Sequence, residues 1–244
     1  MIAIFKKEFR SLFLTPMGYI ILFVFSLFSG IVFLTTAIGS GYSDMTSFFS
    51  SMLIFVAFTI SILCMKFFSE ERKTKTEQLL LTAPVNLTDI VLGKFLAGLA
   101  VYLLCICETF VLTGIMGFVG EPDWGVIFVS YIGYILLGAA LISIGIFFSS
   151  ITQNQIIAAI VTLLVFIGLM LSANLINYLA SLLATIGKGL ELILTSLFNV
   201  LPIFDRYSEF AYGILNISTI IYYLSIVVIF LFLTTRVLEK RRWS

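Results

Sequence analysis

The sequence predicts an all-α, polytopic membrane protein. Three observations carry that prediction. Hydrophobic residues make up 61% of the chain, charged residues only 11% against about a quarter in a soluble domain, and the mean hydropathy is +1.16. The apolar residues also come in runs of about twenty, the length that crosses a hydrocarbon layer as a helix. Continuous runs of this kind exclude a barrel, whose strands alternate, and leave helices as the way to satisfy backbone groups in lipid.

Residues 1–16 open the chain with Ile2, Phe5, Phe9, Leu12 and Phe13 at helical spacing, Lys6, Lys7 and Arg10 on the other side, and Pro16 as a stop. This pattern fits a short interfacial helix on the inner leaflet, and it also fits a charged flank that only anchors topology. Ala37-Ile38-Gly39 resembles a cleavage site, but the apolar run before it is too long for a signal-peptide core.

Six spans follow from hydropathy: Met17–Ile38, Phe48–Phe67, Ile90–Val119, Val126–Ser149, Gln155–Tyr178 and Ser218–Arg236. With the N-terminus in the cytoplasm, every lysine and arginine except Lys188 and Arg206 falls inside, so the positive-inside rule puts both termini there. Segment 179–216 is longer than a connector needs and still apolar, with Leu182, Leu183, Ile186, Leu190, Ile193, Leu194 and Leu197 at spacings of three and four. Gly187-Lys188-Gly189 interrupts it and Pro202 ends it, which fits re-entrant external helices between spans five and six. Two further spans, eight in all, are the alternative and keep the same C-terminal side.

Composition narrows the chemistry. The chain has no histidine, which removes the HExxH and Ser-His patterns and the usual general base. Cys64, Cys105 and Cys107 all fall in apolar spans, and the last two point to nearly opposite helix faces, so neither a disulfide framework nor a metal site is expected. No GxxxxGK[ST] loop occurs; IGKGLE at 186–191 lacks the spacing and follows no strand. The chain is therefore not expected to be an enzyme or to hold a cofactor, and energy from a nucleotide would come from another polypeptide. Membrane lipid is an expected partner and nucleic acid is not.

Phe67 to Lys94 holds eight charges, Glu70, Glu71, Arg72, Lys73, Lys75, Glu77, Asp89 and Lys94, between two apolar runs. Within this loop, 68–90, Glu70 and Glu71 sit where a helix N-terminus favours anions, and the pairs Glu71–Lys75 and Lys73–Glu77 stand at i,i+4. A short charged helix would then meet Leu79, Leu80 and Leu81, stop at Pro84, and restart from an N-cap at Asn86 with Asp89 three residues on. Such a helix suits docking of a partner, with leucines toward the membrane domain; a solvated loop with weak surface ion pairs is the alternative. Glu108 is the one ionisable residue well inside a span, and its burial cost requires it to be protonated, paired or facing a cavity. It is either a polar substrate or proton site or an acid hydrogen-bonded to a neighbouring helix. Asn174, Asn177, Gly133, Gly138 and Gly145 read as packing and hydrogen-bond positions.

The run SEERKTKTEQLLLTAPV, Ser69 to Val85, followed by IVLGKFLA, Ile90 to Ala97, resembles the membrane subunits of ABC-2-type transporters, also called type V ABC exporters. Phe204 to Trp243, down to the closing Arg-Arg-Trp, and the opening IFKKEFRSLFLTPMGYI are similar to the gliding-motility-associated permease branch. The resemblance implies a dimeric six-span permease, with an identical or paralogous second copy, in a bacterial inner membrane. It further implies a separate cytosolic ABC ATPase that binds ATP and Mg and drives export of an amphiphilic substrate. It implies that the N-terminal amphipathic helix, with Phe5, Lys6, Lys7, Phe9 and Arg10, and the loop between spans two and three touch the ATPase, and by position it carries coupling to Glu70, Glu71, Arg72 and above all Glu77, with Lys73 and Lys75 in the same run. A non-transporting anchor that couples an ATPase to a cell-surface machine, or a secondary transporter, would share most of these features.

Overall fold

The first helix, α1 (Ile2–Leu14), ends where Thr15 turns extended and its hydroxyl donates back to the carbonyls of Ser11 and Leu12. Pro16 then opens α2 (Met17–Val32), which winds on as a π-helical stretch over Phe33–Ile38. The computed structural model describes residues 1–38, 45–76, 85–120, 122–184 and 203–242, without the side chains of 37, 38, 119, 173–177 and 179–184. The remaining helices are α3 (Thr46–Cys64), α4 (Ser69–Lys73), α5 (Leu87–Val119), α6 (Trp124–Ile151), α7 (Gln155–Ala184), α8 (Tyr207–Ala211) and α9 (Ile217–Arg242). Among the described residues there is no strand, and the chain is all-α as expected.

Six of these helices, α2, α3, α5, α6, α7 and α9, are long and apolar enough to cross a membrane, in agreement with the six spans read from hydropathy. The helices overrun those spans at their polar ends: α5 begins at Leu87 and α7 continues to Ala184. Hydropathy registers where lipid contact ends, whereas backbone hydrogen bonding carries a helix on into the headgroup region.

Three spans form the centre. In α3, α5 and α6 61% of the apolar window is buried, against 33%, 17% and 28% in α2, α7 and α9. The outer helices turn stripes such as Ile156, Ile160, Leu164 and Leu171 of α7 away from the bundle, as lipid-facing positions do. Because lipid tails are as apolar as leucine, such helices associate through close packing and polar contacts instead. Gly133, Gly138 and Gly145 let α6 serve as the central post. A methyl at these positions would run into Phe210, the Tyr102 ring and Cys64 respectively. The Tyr102 hydroxyl donates to the Tyr134 carbonyl at 3.0 Å, and the Tyr131 hydroxyl shares hydrogen bonds with Thr109 at 3.0 Å and Thr113 at 2.7 Å. The sequence reading of these glycines as packing positions is the one the structure displays.

At the opposite end from α1, α8 seats residues 203–211 on α6. Phe210 fills the notch at Gly133, Ser130 Oγ donates to the Phe210 carbonyl, and Thr46 Oγ1 donates to the Ala211 carbonyl. Residues 185–202, on which the expectation of re-entrant helices depends, lie outside the described residues, as do Glu77, Leu79, Leu80, Leu81 and Pro84. The side chains of Asn174 and Asn177 are likewise outside them.

Candidate functional site

The polar chemistry gathers where α1, α4 and the start of α5 meet. The face of α1 predicted to be apolar packs inward, with Phe5, Phe9 and Phe13 forming a ladder of rings 5.8 and 5.0 Å apart and Leu12 buried; only Ile2 is left out. Lys6 and Arg10 are exposed on the other side, as expected. The helix docks against α5. Gly93 makes this approach close: a Cβ there would come within 2.9 Å of Ile4.

One residue later, Lys94 points inward with its side chain fully buried. An ammonium has three donors and is costly to bury unless they are met. Here Nζ lies 2.6 Å from the Phe67 carbonyl, 3.1 Å from Glu8 Oε1 and 3.0 Å from Glu71 Oε2, and 4.9 Å from the centre of the Phe68 ring. Lys7 closes the cluster from the solvent side, with Nζ 3.2 Å from Glu71 Oε1 and 3.4 Å from Glu8 Oε1. Two cations and two carboxylates from three helices therefore balance one another. Partial burial draws the Lys7 pKa down, but Glu71 and then Glu8 outweigh it and hold the group above its ordinary value of 10.5.

The five-residue α4 is too short to stand alone, and its termini are held by neighbours. Its first turn has no capping side chain of its own. Ser149 of α6 supplies the acceptor instead, taking the Phe68 and Ser69 amides at 3.2 and 3.4 Å, with the Ser69 hydroxyl 3.0 Å away. Arg72 donates to the Ile151 carbonyl at 2.6 Å, which satisfies the C-terminal end of α6 in return. Lys66, just before α4, donates to Thr15 Oγ1 at 2.9 Å and lies 3.7 Å from Glu70.

Several expectations need correction. Glu71 does not pair with Lys75: the helix ends at Lys73, Lys75 turns left-handed with φ 59°, and Glu71 is turned inward onto Lys7 and Lys94. Asn86 stands at the N-cap of α5 with extended backbone, but its side chain makes no capping hydrogen bond. Among the described residues of the loop, Glu70 and Glu71 thus pair within the protein, and Lys73, Thr74, Lys75 and Thr76 are exposed. The sequence reading missed Glu8 and gave Lys94 no role in the site. A lysine directly after glycine inside an apolar run was the available signal for Lys94, since an unpaired cation there would be prohibitive.

Glu108 is separate from this cluster. It lies 14 residues beyond Lys94 on α5, roughly 21 Å along the axis, and faces Ser26 of α2. Its Oε2 is shielded and has no hydrogen-bond partner among the described residues. Cys64 and Cys105 are buried and Cys107 exposed, and no three metal-ligating side chains gather among the described residues. A cleft of about 320 Å³ lined by Asn86, Leu87, Thr88, Glu239 and Arg242 brings the end of α9 beside the start of α5.

Six apolar helices around a central trio, with a charged cluster at one end, make this a multi-pass membrane protein. The family model described as ABC-2 family transporter protein matches residues 2–243, so the chain belongs to that family and is a membrane permease component of an ABC transporter. Members of this family generally work with a cytosolic ABC ATPase and often dimerise. Comparison with curated proteins gave no match.

Proposed function

We propose that this permease couples ATP hydrolysis by a separate cytosolic ABC ATPase to export of an amphiphilic substrate, and that α1, α4 and the start of α5 form the rigid unit that receives the motor's motion. The buried Lys94, held by Glu8 of α1 and Glu71 of α4, is the observation that carries the reading. A displacement of α4 cannot leave α1 or α5 behind without exposing an unpaired charge, so the three elements favour moving together. Their motion then biases the spans between conformers, which is all that a permease without chemistry of its own needs. The excess of lysine and arginine at this end of the bundle favours a cytoplasmic location for it and for both termini. The similarity of Phe204 to Trp243 and of the opening segment to the gliding-motility-associated branch favours a bacterial exporter dimer, with an ATPase that binds ATP and Mg.

The test is ATP turnover by the cognate ATPase reconstituted with the full chain. Lys94→Met is expected to retain ATPase binding yet lose the permease-dependent part of turnover by about tenfold, the size of an ordinary coupling energy. Unchanged turnover with unchanged binding would sink this function for the cluster.

A further inference from the structure

The start of α5 and the end of α9 meet at a cleft that the Lys94 cluster does not use. It measures about 320 Å³ and is lined by Asn86, Leu87 and Thr88 on one side and by Glu239 and Arg242 on the other. Arg242 is exposed and forms no ion pair with a described residue, whereas the two carboxylates at this place are already matched. Glu239 lies 2.7 Å from Arg236, and Asp89 lies 3.9 Å from the N-terminal ammonium. The Arg242 charge is therefore left over. The donors beside it are left over too: the Asn86 side chain caps no amide, and the amides of Leu87 and Thr88 have no acceptor among the described residues. Thr88 adds an exposed hydroxyl.

The surface next to the cleft is apolar. Leu92 stands one turn beyond Thr88 on α5 and is 38% exposed, and Phe232 stands two turns before Glu239 on α9 and is 54% exposed. Both helices are long and apolar enough to cross a membrane, so the polar cleft gives way on its membrane side to side chains that face lipid. A free phosphate has no use for that continuation, and an amphiphile does. We infer that the cleft binds an anionic phospholipid, with its phosphate held by the Arg242 guanidinium, the Thr88 hydroxyl and the first amides of α5, and its chains lying over Leu92 and Phe232. The planar guanidinium offers paired donors that match phosphate oxygens, and basic pockets between membrane helices are where such headgroups settle. Glu239, neutralised by Arg236, does not repel the phosphate. Bound lipid ties the end of α9 to the start of α5, which the N-terminal ammonium already joins to α1 through Asp89. The inference is independent of the ATPase coupling proposed above, because none of its residues belongs to the Lys94 cluster.

Native mass spectrometry of the full chain in neutral detergent, titrated with phosphatidylglycerol and separately with phosphatidylcholine, tests it. Wild type is expected to retain one phosphatidylglycerol per chain in preference to phosphatidylcholine. Arg242→Gln is expected to weaken that retention roughly tenfold or more, and Thr88→Val about three- to tenfold. Lys73→Gln, which removes an exposed cation elsewhere, is expected to leave it unchanged. No preference for phosphatidylglycerol in wild type, or equal retention by all variants, would overturn the site. A loss in Lys73→Gln as large as in Arg242→Gln would reduce the binding to diffuse surface charge and overturn it as well. Displacement of the lipid by soluble glycerol phosphate at comparable concentration would make the cleft a site for a free phosphate ester and overturn the lipid assignment.

Discussion

Lys94 sets the energetics at the scale of single residues. A buried ammonium is tolerated because it donates to Glu8 and to the Phe67 carbonyl and lies 3.0 Å from the Glu71 carboxylate, and removing it would leave Glu8 and Glu71 facing each other with only Lys7 between them. Lys94→Met is expected to destabilise the protein by about 3–5 kcal/mol, read from thermal unfolding in detergent. Restoring much of that loss by adding Glu8→Gln and Glu71→Gln would identify unpaired charge as its cause. Lys7 acts at the mouth of the cluster. Its folded pKa is raised above 10.5, so its contribution is fully present below the ordinary lysine value and is lost as pH rises through the raised one. The stability difference between wild type and Lys7→Met is therefore expected to be flat from neutral pH to about 10 and to shrink above it. Unfolding temperatures across that range provide the measurement.

Among the elements, α4 shows what the sequence could and could not disclose. Its existence was legible, because paired acidic residues followed by basic ones mark both ends of a short helix. Its partners were not. The Lys94–Glu8 contact spans 86 residues of sequence, and the acceptor for the α4 amides, Ser149, sits 80 or more residues away in a different span. Local rules pair Glu71 with Lys75 at i,i+4; the buried lysine wins because a surface pair is worth a few tenths of a kcal/mol and an unpaired buried charge costs several. The spans themselves were legible in number and order, and Met17–Ile38 in both its ends, because lipid imposes a length on the apolar run; the other helix ends differ by a few residues. Removing the Ser149 hydroxyl tests the stitching of α4 directly. In Ser149→Ala the Phe68 and Ser69 amides lose their acceptor, and their hydrogen exchange should quicken by roughly tenfold or more while the amides of mid-α6 are unaffected.

For the whole molecule, the central trio of α3, α5 and α6 is packed through glycines and tyrosine hydroxyls, whereas α2, α7 and α9 present apolar stripes outward. α5 runs from the charged cluster at one end past Glu108 toward the other. α1 packs on α5, while α4 is joined to α5 through Glu71 and Lys94 and to α6 through Ser149 and Arg72. The central claim is that α1 and α5 travel as one body, and the most direct measurement is the distance between spin labels at Arg10→Cys on α1 and Thr88→Cys on α5 in the reconstituted permease–ATPase complex. One narrow distance is expected, the same without nucleotide and with ATP trapped, and broader in Lys94→Met. A wild-type distance that shifts with nucleotide state, or a Lys94→Met distance as narrow as wild type, would contradict it.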